Sequence, residues 1–145
     1  MQDYRNTKDT KDTKMSASLP IPPVLEAAGK AILDSAFKVH TALGPGLIES
    51  VYELCLAHEL TTRGFDVARQ VPLPVVYEGL RLDGGFRLDL LVANGVIVEI
   101  KAAEQHNRLF EAQLLTYLRL SGLRLGFLIN FNVTQLRQGI KRMVY

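Results

Sequence analysis

Two short runs, Phe86 to Val92 and Val96 to Lys101, read as buried β-strand, yet they carry Asp89, Glu99 and Lys101. Desolvating a charge costs several kcal/mol unless a partner compensates it. The compensation is an ion pair or a metal ion. The runs are joined by Ala93-Asn94-Gly95, and Asn-Gly is a hairpin signal. A two-residue loop would set Leu90 against Glu99 and Leu88 against Lys101, mixing charged and aliphatic residues on both faces. A three-residue loop, with Gly95 at positive φ, sets Asp89 opposite Glu99 and Leu91 opposite Ile97. It leaves Leu88, Leu90, Val92, Val96, Val98 and Ile100 as one aliphatic face. A one-residue slip flips every side chain, so the clean face selects the three-residue loop. Asp89, Glu99 and Lys101 then share the other face.

Facing carboxylates about 5 Å apart at Cβ repel unless a cation sits between them. Such hard oxygen ligands suit Mg²⁺ or Mn²⁺, which keep several waters. A lysine beside them can hold an attacking water or offset charge on a phosphate. Read alone, Glu-x-Lys is better explained by a cross-strand salt bridge of Lys101 with Asp89 or Glu99, since it is a common tripeptide.

Asp89 with Glu99-x-Lys101 resembles the signature of the PD-(D/E)xK nucleases, and Gln113-x-x-x-Tyr117 resembles the added motif of their RecB-like branch. Gly46-x-x-Glu49-x-x-Tyr52 resembles the motif that names the GxxExxY protein family. Leu43 to Gly46, Asn130-Phe131 and Gly139 to Arg142 are similar to further motifs of that family. The resemblance spans roughly residues 21–145; Leu88 stands where such nucleases often have proline. It implies a restriction-endonuclease-like α/β fold, a mixed sheet flanked by helices. It also implies a metal-dependent nuclease, with DNA ahead of RNA as substrate. Asp89 and Glu99 would hold Mg²⁺ or Mn²⁺ with Glu49 and the Ile100 carbonyl. Lys101 would position the water, and Gln113 and Tyr117 would orient the site. The alternative is a non-catalytic nucleic-acid or protein binding module on the same fold.

A chain of 145 residues, 48% hydrophobic, builds one core. A net charge of +2 neither demands nor excludes a nucleic-acid partner. Arg119, Arg124, Arg137, Lys141 and Arg142 are candidate phosphate contacts, against a reading of each as solvated surface. A homo-oligomer or a partner protein stays open. Cys55, the single cysteine, reads as core and fits a reducing cytoplasm. No apolar run is long enough to span a bilayer. Residues 1–20 carry a polar Thr-Lys-Asp repeat and read as a disordered tail ahead of a domain at 21–145; Met15 reads as an alternative start.

Helices are expected at Val24–Ala42, Leu47–Arg63 and Gln105–Ser121, and strands at Phe65–Val71, Val75–Leu82, the two site runs, Leu125–Asn130 and Ile140–Val144. In the first helix Leu25, Ala28, Ile32, Ala36, Val39 and Leu43 form an apolar stripe. Glu49 opens the second among apolar neighbours and is expected to be buried; Tyr52 reads as a packed, hydrogen-bonded tyrosine. Gln113 and Tyr117, four apart, share a helix face. His40 reads as surface, and His58 and His106 carry no signal.

Overall fold

The computed structural model describes residues 19–145, so most of the expected disordered tail, and Met15, lie outside the described residues. At the end of that stretch the carbonyls of Leu19 and Pro20 accept from the Arg124 guanidinium at 2.7 and 3.3 Å.

Prolines preset the start of α1 (Pro23–Leu43), whose N–H groups at that end have no helical partner to lose. Its buried face is mostly small: Ala28, Gly29, Ala31, Ile32, Ser35, Ala36 and Val39. A Cβ on Gly29 would stand 3.2 Å from the Phe127 ring, so glycine lets this helix lie close on the sheet. The ends of the apolar stripe fall short of the core: Leu25 is half-buried and Leu43 exposed. Gly44, at φ +68°, ends the helix, and α2 follows (Glu49–Thr62). Tyr52, Glu53, Leu56, Ala57 and Leu60 are its buried residues.

The five-stranded sheet has the order β1-β4-β5-β6-β7: β1 Val67–Pro72, β4 Arg87–Val92, β5 Val96–Lys101, β6 Leu125–Asn130, β7 Ile140–Val144. Only β5 and β6 run parallel, joined by the crossover helix α3 (Arg108–Ser121). Asn107 caps α3, its Oδ1 accepting from the Leu109 N–H at 2.9 Å. The expected mixed sheet with flanking helices is therefore present. Pro72 falls at the end of an edge strand, where a missing donor costs no ladder bond.

The expected strand Val75–Leu82 is instead a small hairpin, β2 (Val75–Tyr77) and β3 (Leu80–Leu82), paired only with itself. Glu78 and Gly79 both have positive φ and make the tight turn that the alternating pattern concealed.

The expected register is observed: Leu90 pairs with Val98, Leu91 with Ile97 and Val92 with Val96. Its stated cause was wrong. Positive φ falls on Ala93 and Asn94, both +53°, and not on Gly95. Those two residues form the turn, closed by the Gly95 N–H on the Val92 carbonyl at 3.1 Å. Gly95 is needed for space, since a Cβ there would lie 2.5 Å from the Leu25 side chain.

Apolar side chains fill both faces of the sheet. Against α1 and α2 lie Leu90, Val92, Val96, Val98, Ile100, Phe127 and Ile129. On the other face Leu88, Ile97 and Leu128 of the sheet pack with Leu114, Tyr117 and Leu118 of α3. Leu88 thus leaves the aliphatic face assigned to it, because the alternation breaks at Asp89. Cys55 is half-buried and packs against the edge of the core; it also lines an apolar groove with Val39, Ala42, Leu43 and Leu54.

Gly139 has a stricter demand than Gly95. A Cβ there would sit 2.2 Å from the Asn130 carbonyl oxygen, which is backbone and cannot swing aside. Gly139→Ala should destabilise by about 1–3 kcal/mol, the usual range for overpacking, read as a fall in the denaturation midpoint. An unchanged midpoint would show that this junction has slack.

Candidate active site

The β4–β5 ladder stops after Leu90–Val98, where the acids begin. Beyond it, side chains take over the backbone partners. Asp89 Oδ2 accepts from the Ile100 N–H at 2.8 Å, and Glu99 Oε1 accepts from the Asp89 N–H at 3.1 Å. On the other flank Gln70 has φ +52°, and the β1–β4 pairing skips Gln70 and Asp89. Asp89 therefore sits where both neighbouring ladders lapse, in a gap in the sheet. In an antiparallel pair a residue's N–H and C=O point to the same edge, so the Ile100 carbonyl faces this gap as well.

Burial dominates the electrostatics. Glu99 is 4% exposed. Desolvation, then the negative charge of Asp89, pushes its pKa up to about 8. Asp89 is raised too, by burial against the opposing Ile100 hydrogen bond, with Glu53 and Glu49 adding repulsion and Lys101 relieving some of it. These two carboxyls are held together at a cost that a cation would remove.

Lys101 does not neutralise them by a direct ion pair. Its Nζ donates to Gln113 Oε1 at 3.2 Å and lies 4.8 Å from the centroid of the Phe110 ring. The cross-strand salt bridge is thus not formed. Strand β5 ends in a fixed frame: the Lys101 carbonyl accepts from the Phe131 N–H at 2.9 Å, and the Asn130 side chain clamps Ala103 at both its N–H and its carbonyl. Tyr117 is buried one turn beyond Gln113, as their spacing requires. Burial, then Glu99 and Asp89, raises its pKa, so its hydroxyl stays protonated.

Glu49 is exposed, as are Leu47 and Ile48 beside it, so its expected burial is not found. The α2 N-terminus projects past the core, and an apolar neighbour in sequence is not a cover in space. Glu49 instead stands at the rim of a cleft of about 230 Å³ that it shares with Ser50, Glu53, Gln70, Asp89 and Ile100. The buried glutamate of α2 is Glu53, one turn later. Arg69 holds its Oε2 at 2.9 Å and Gln70 its Oε1 at 2.6 Å. Sequence reasoning missed it, although the four-residue step from Glu49 placed it on the same helix face.

Tyr52 packs as expected. Its ring stacks on Phe131 at 4.5 Å, and its hydroxyl donates to the Gly44 carbonyl and accepts from the Leu47 N–H. It pins the glycine loop that presents Glu49. Tyr52→Phe should cost about 1 kcal/mol through the unmatched Gly44 carbonyl and Leu47 N–H; an unchanged thermal midpoint would mean that water replaces the hydroxyl.

Of the five basic candidates, Lys141 lines a cleft of about 240 Å³ with Lys101. Arg142 grips Glu26 through two nitrogens, at 3.0 and 2.6 Å, and Lys141 pairs with Glu111 at 2.9 Å. Arg124 ties the N-terminal lead and the Tyr145 carbonyl. Arg119 and Arg137 are exposed. His40 is half-buried rather than surface, its Nε2 2.7 Å from the Val133 carbonyl oxygen; His58 is exposed, and His106 meets Glu111.

A family model for the PD-(D/E)XK nuclease superfamily matches residues 26–143. The chain belongs to that superfamily. No curated protein and no solved structure gave a match. PD-(D/E)XK membership brings nuclease-type chemistry on nucleic acid and a general use of divalent metal ions. The donor set fits such an ion. Two carboxylates crowd one gap without a basic counter-ion, a main-chain carbonyl faces it, and Glu49 is within the shared cleft. Among the described residues no three His, Cys, Asp or Glu side chains are gathered as a ready-made cage. Among the described residues no helix is long and apolar enough to cross a membrane.

Proposed function

We propose that this chain is a metal-dependent nuclease that hydrolyses phosphodiester bonds, with DNA ahead of RNA as substrate, and that it works in the cytoplasm. The GxxExxY motif at Gly46, Glu49 and Tyr52, and Gln113 with Tyr117, support a place in the GxxExxY family and near the RecB-like branch. The observation that carries the reading is buried Glu99 with half-buried Asp89 beside it, joined by side-chain-to-backbone hydrogen bonds, both with raised pKa values and no ion-paired lysine.

In this reading Asp89 and Glu99, with Glu49 and the Ile100 carbonyl, hold Mg²⁺ or Mn²⁺. The bound ion supplies a polarised water and a counter-charge for the phosphate. Lys101, fixed by Gln113 and the Phe110 ring, presents its ammonium where the attacking water or the phosphate oxygens come in. Gln113 holds that ammonium in place, and Tyr117 keeps a protonated hydroxyl beside it. Arg119 and Arg137 are exposed candidates to meet backbone phosphates; Lys141 and Arg142 are exposed too, but they and Arg124 would first have to give up the partners they have. Whether the chain works alone, as a homo-oligomer or with a partner protein is read by its mass in solution.

The test is cleavage of labelled single- and double-stranded DNA and RNA with Mg²⁺, with Mn²⁺ and with chelator. Metal-dependent cleavage that is lost in Glu99→Gln supports the reading. Binding without cleavage of any substrate, in either metal, would instead favour a non-catalytic module.

A further inference from the structure

Beside Lys101, on the α3 side of the sheet, runs an open groove of about 500 Å³. Three aromatic residues line it, Phe86, Phe110 and Tyr117, together with Lys101, Gln113 and Asn107. Phe110 and Tyr117 come from one helix, and the fold brings Phe86 to them from the lead into β4. Phe86 meets Tyr117 edge to face, with centroids 6.3 Å apart. Phe110 is occupied by the Lys101 ammonium. Phe86 is different: the residue is 44% exposed, while its carbonyl accepts from the Leu73 N–H at 2.9 Å. A phenylalanine on a fixed backbone, with its ring in water three residues before Asp89, is a preorganised stacking surface.

Resting on the nuclease reading above, we infer that this groove seats an unpaired nucleobase of the substrate strand against the Phe86 ring, so that the substrate is single-stranded or has a single-stranded end. Every base has a π-face, so stacking on an aromatic ring tolerates any sequence. A base within a duplex has both faces covered by its neighbours and cannot reach the ring without leaving the stack. Lys101 and Gln113 line both the groove and the candidate active site, so a base held there places its own strand's phosphate next to the Lys101 ammonium. Two of the groove's amide acceptors are already used, since Asn107 spends its Oδ1 on the α3 cap and Gln113 its Oε1 on Lys101. The exposed Phe86 face is the part of the groove that any base can use.

The sequence has no tryptophan, so Phe86→Trp installs a single fluorophore at the proposed stack. Its emission should be quenched saturably by single-stranded oligonucleotides and not by a blunt duplex of the same sequence, without divalent ion. DNA and RNA strands run in parallel tell which sugar the site accepts. Phe86→Leu keeps an apolar side chain but no ring; it should lose about tenfold in affinity for the single strand by anisotropy. A silent Phe86→Trp, equal quenching by blunt duplex, or a Phe86→Leu that binds single strands like the parent would each overturn the inference. Cleavage in Mn²⁺ is scored separately. Cleavage of blunt duplex with a silent Phe86→Trp sinks the groove alone. Quenching by single strands in a protein that cleaves nothing keeps the groove and sinks the nuclease reading.

Discussion

Asp89→Asn and Glu99→Gln each abolish metal-dependent cleavage, by about 10²-fold or more, while the fold survives. Changes merely behind a metal's ligands already cost 10–100-fold, and these are the candidate ligands themselves. Both isosteres keep an acceptor oxygen, so the bonds from the Ile100 and Asp89 N–H groups persist. What is lost is charge. Without metal, each acid variant should melt at or above the parent, because one of two repelling carboxylates has been neutralised. Lys101→Ala also stops cleavage, but it removes the charge that relieves both acids, so it should melt slightly lower. Had the acids and the lysine formed a buried salt bridge, removing one partner would cost about 3–5 kcal/mol. Melting curves of the three variants in chelator separate the two cases before any substrate is known. A marked loss of stability in both acid variants would contradict the account.

The metal-free protein should lose stability as pH rises from about 4.5 to about 8, as far as Glu99 governs it. Its folded pKa is near 8 and its unfolded value near 4.5. Between those values the folded state binds more protons than the unfolded one, so the slope of unfolding free energy with pH is negative. Above about 8 both states are ionised and the effect levels off. Asp89, raised in the same direction, adds to the decline. A divalent ion needs both carboxylates ionised, so its affinity climbs over the same range and its binding releases protons. Glu99→Gln should flatten the curve and remove the metal's stabilising effect together. Melting temperature against pH, with and without Mn²⁺, reads both. A parent whose stability rises over this range without metal would mean that the carboxyls are not held as described.

Much of this was legible in the sequence, for reasons that can be named. Strand β6 falls at Leu125–Asn130 as expected, since an apolar run flanked by glycine and polar residues has few alternatives. The β4–β5 register was also legible, because only one register gives an aliphatic face. Its turn was not: the Asn-Gly signal located it, while the space needed by Leu25 from another element decided why glycine stands at 95. Leu88 and Glu49 failed alike. Period and neighbours in sequence assign faces, but the break at Asp89 and the projection of the α2 start are tertiary facts. Glu53 was hidden by the brighter motif one turn earlier. The Phe86 groove could not be read, since Phe86 and the two α3 rings, Phe110 and Tyr117, come from separate parts of the chain.

Calorimetric titration of Mn²⁺ into the chelator-treated protein near pH 8, in two buffers of different ionisation enthalpy, tests the metal centre most directly. The account expects saturable binding with proton release in the parent, and little or none in Asp89→Asn or Glu99→Gln. No saturable heat in the parent, or the same heat in all three proteins, would contradict it.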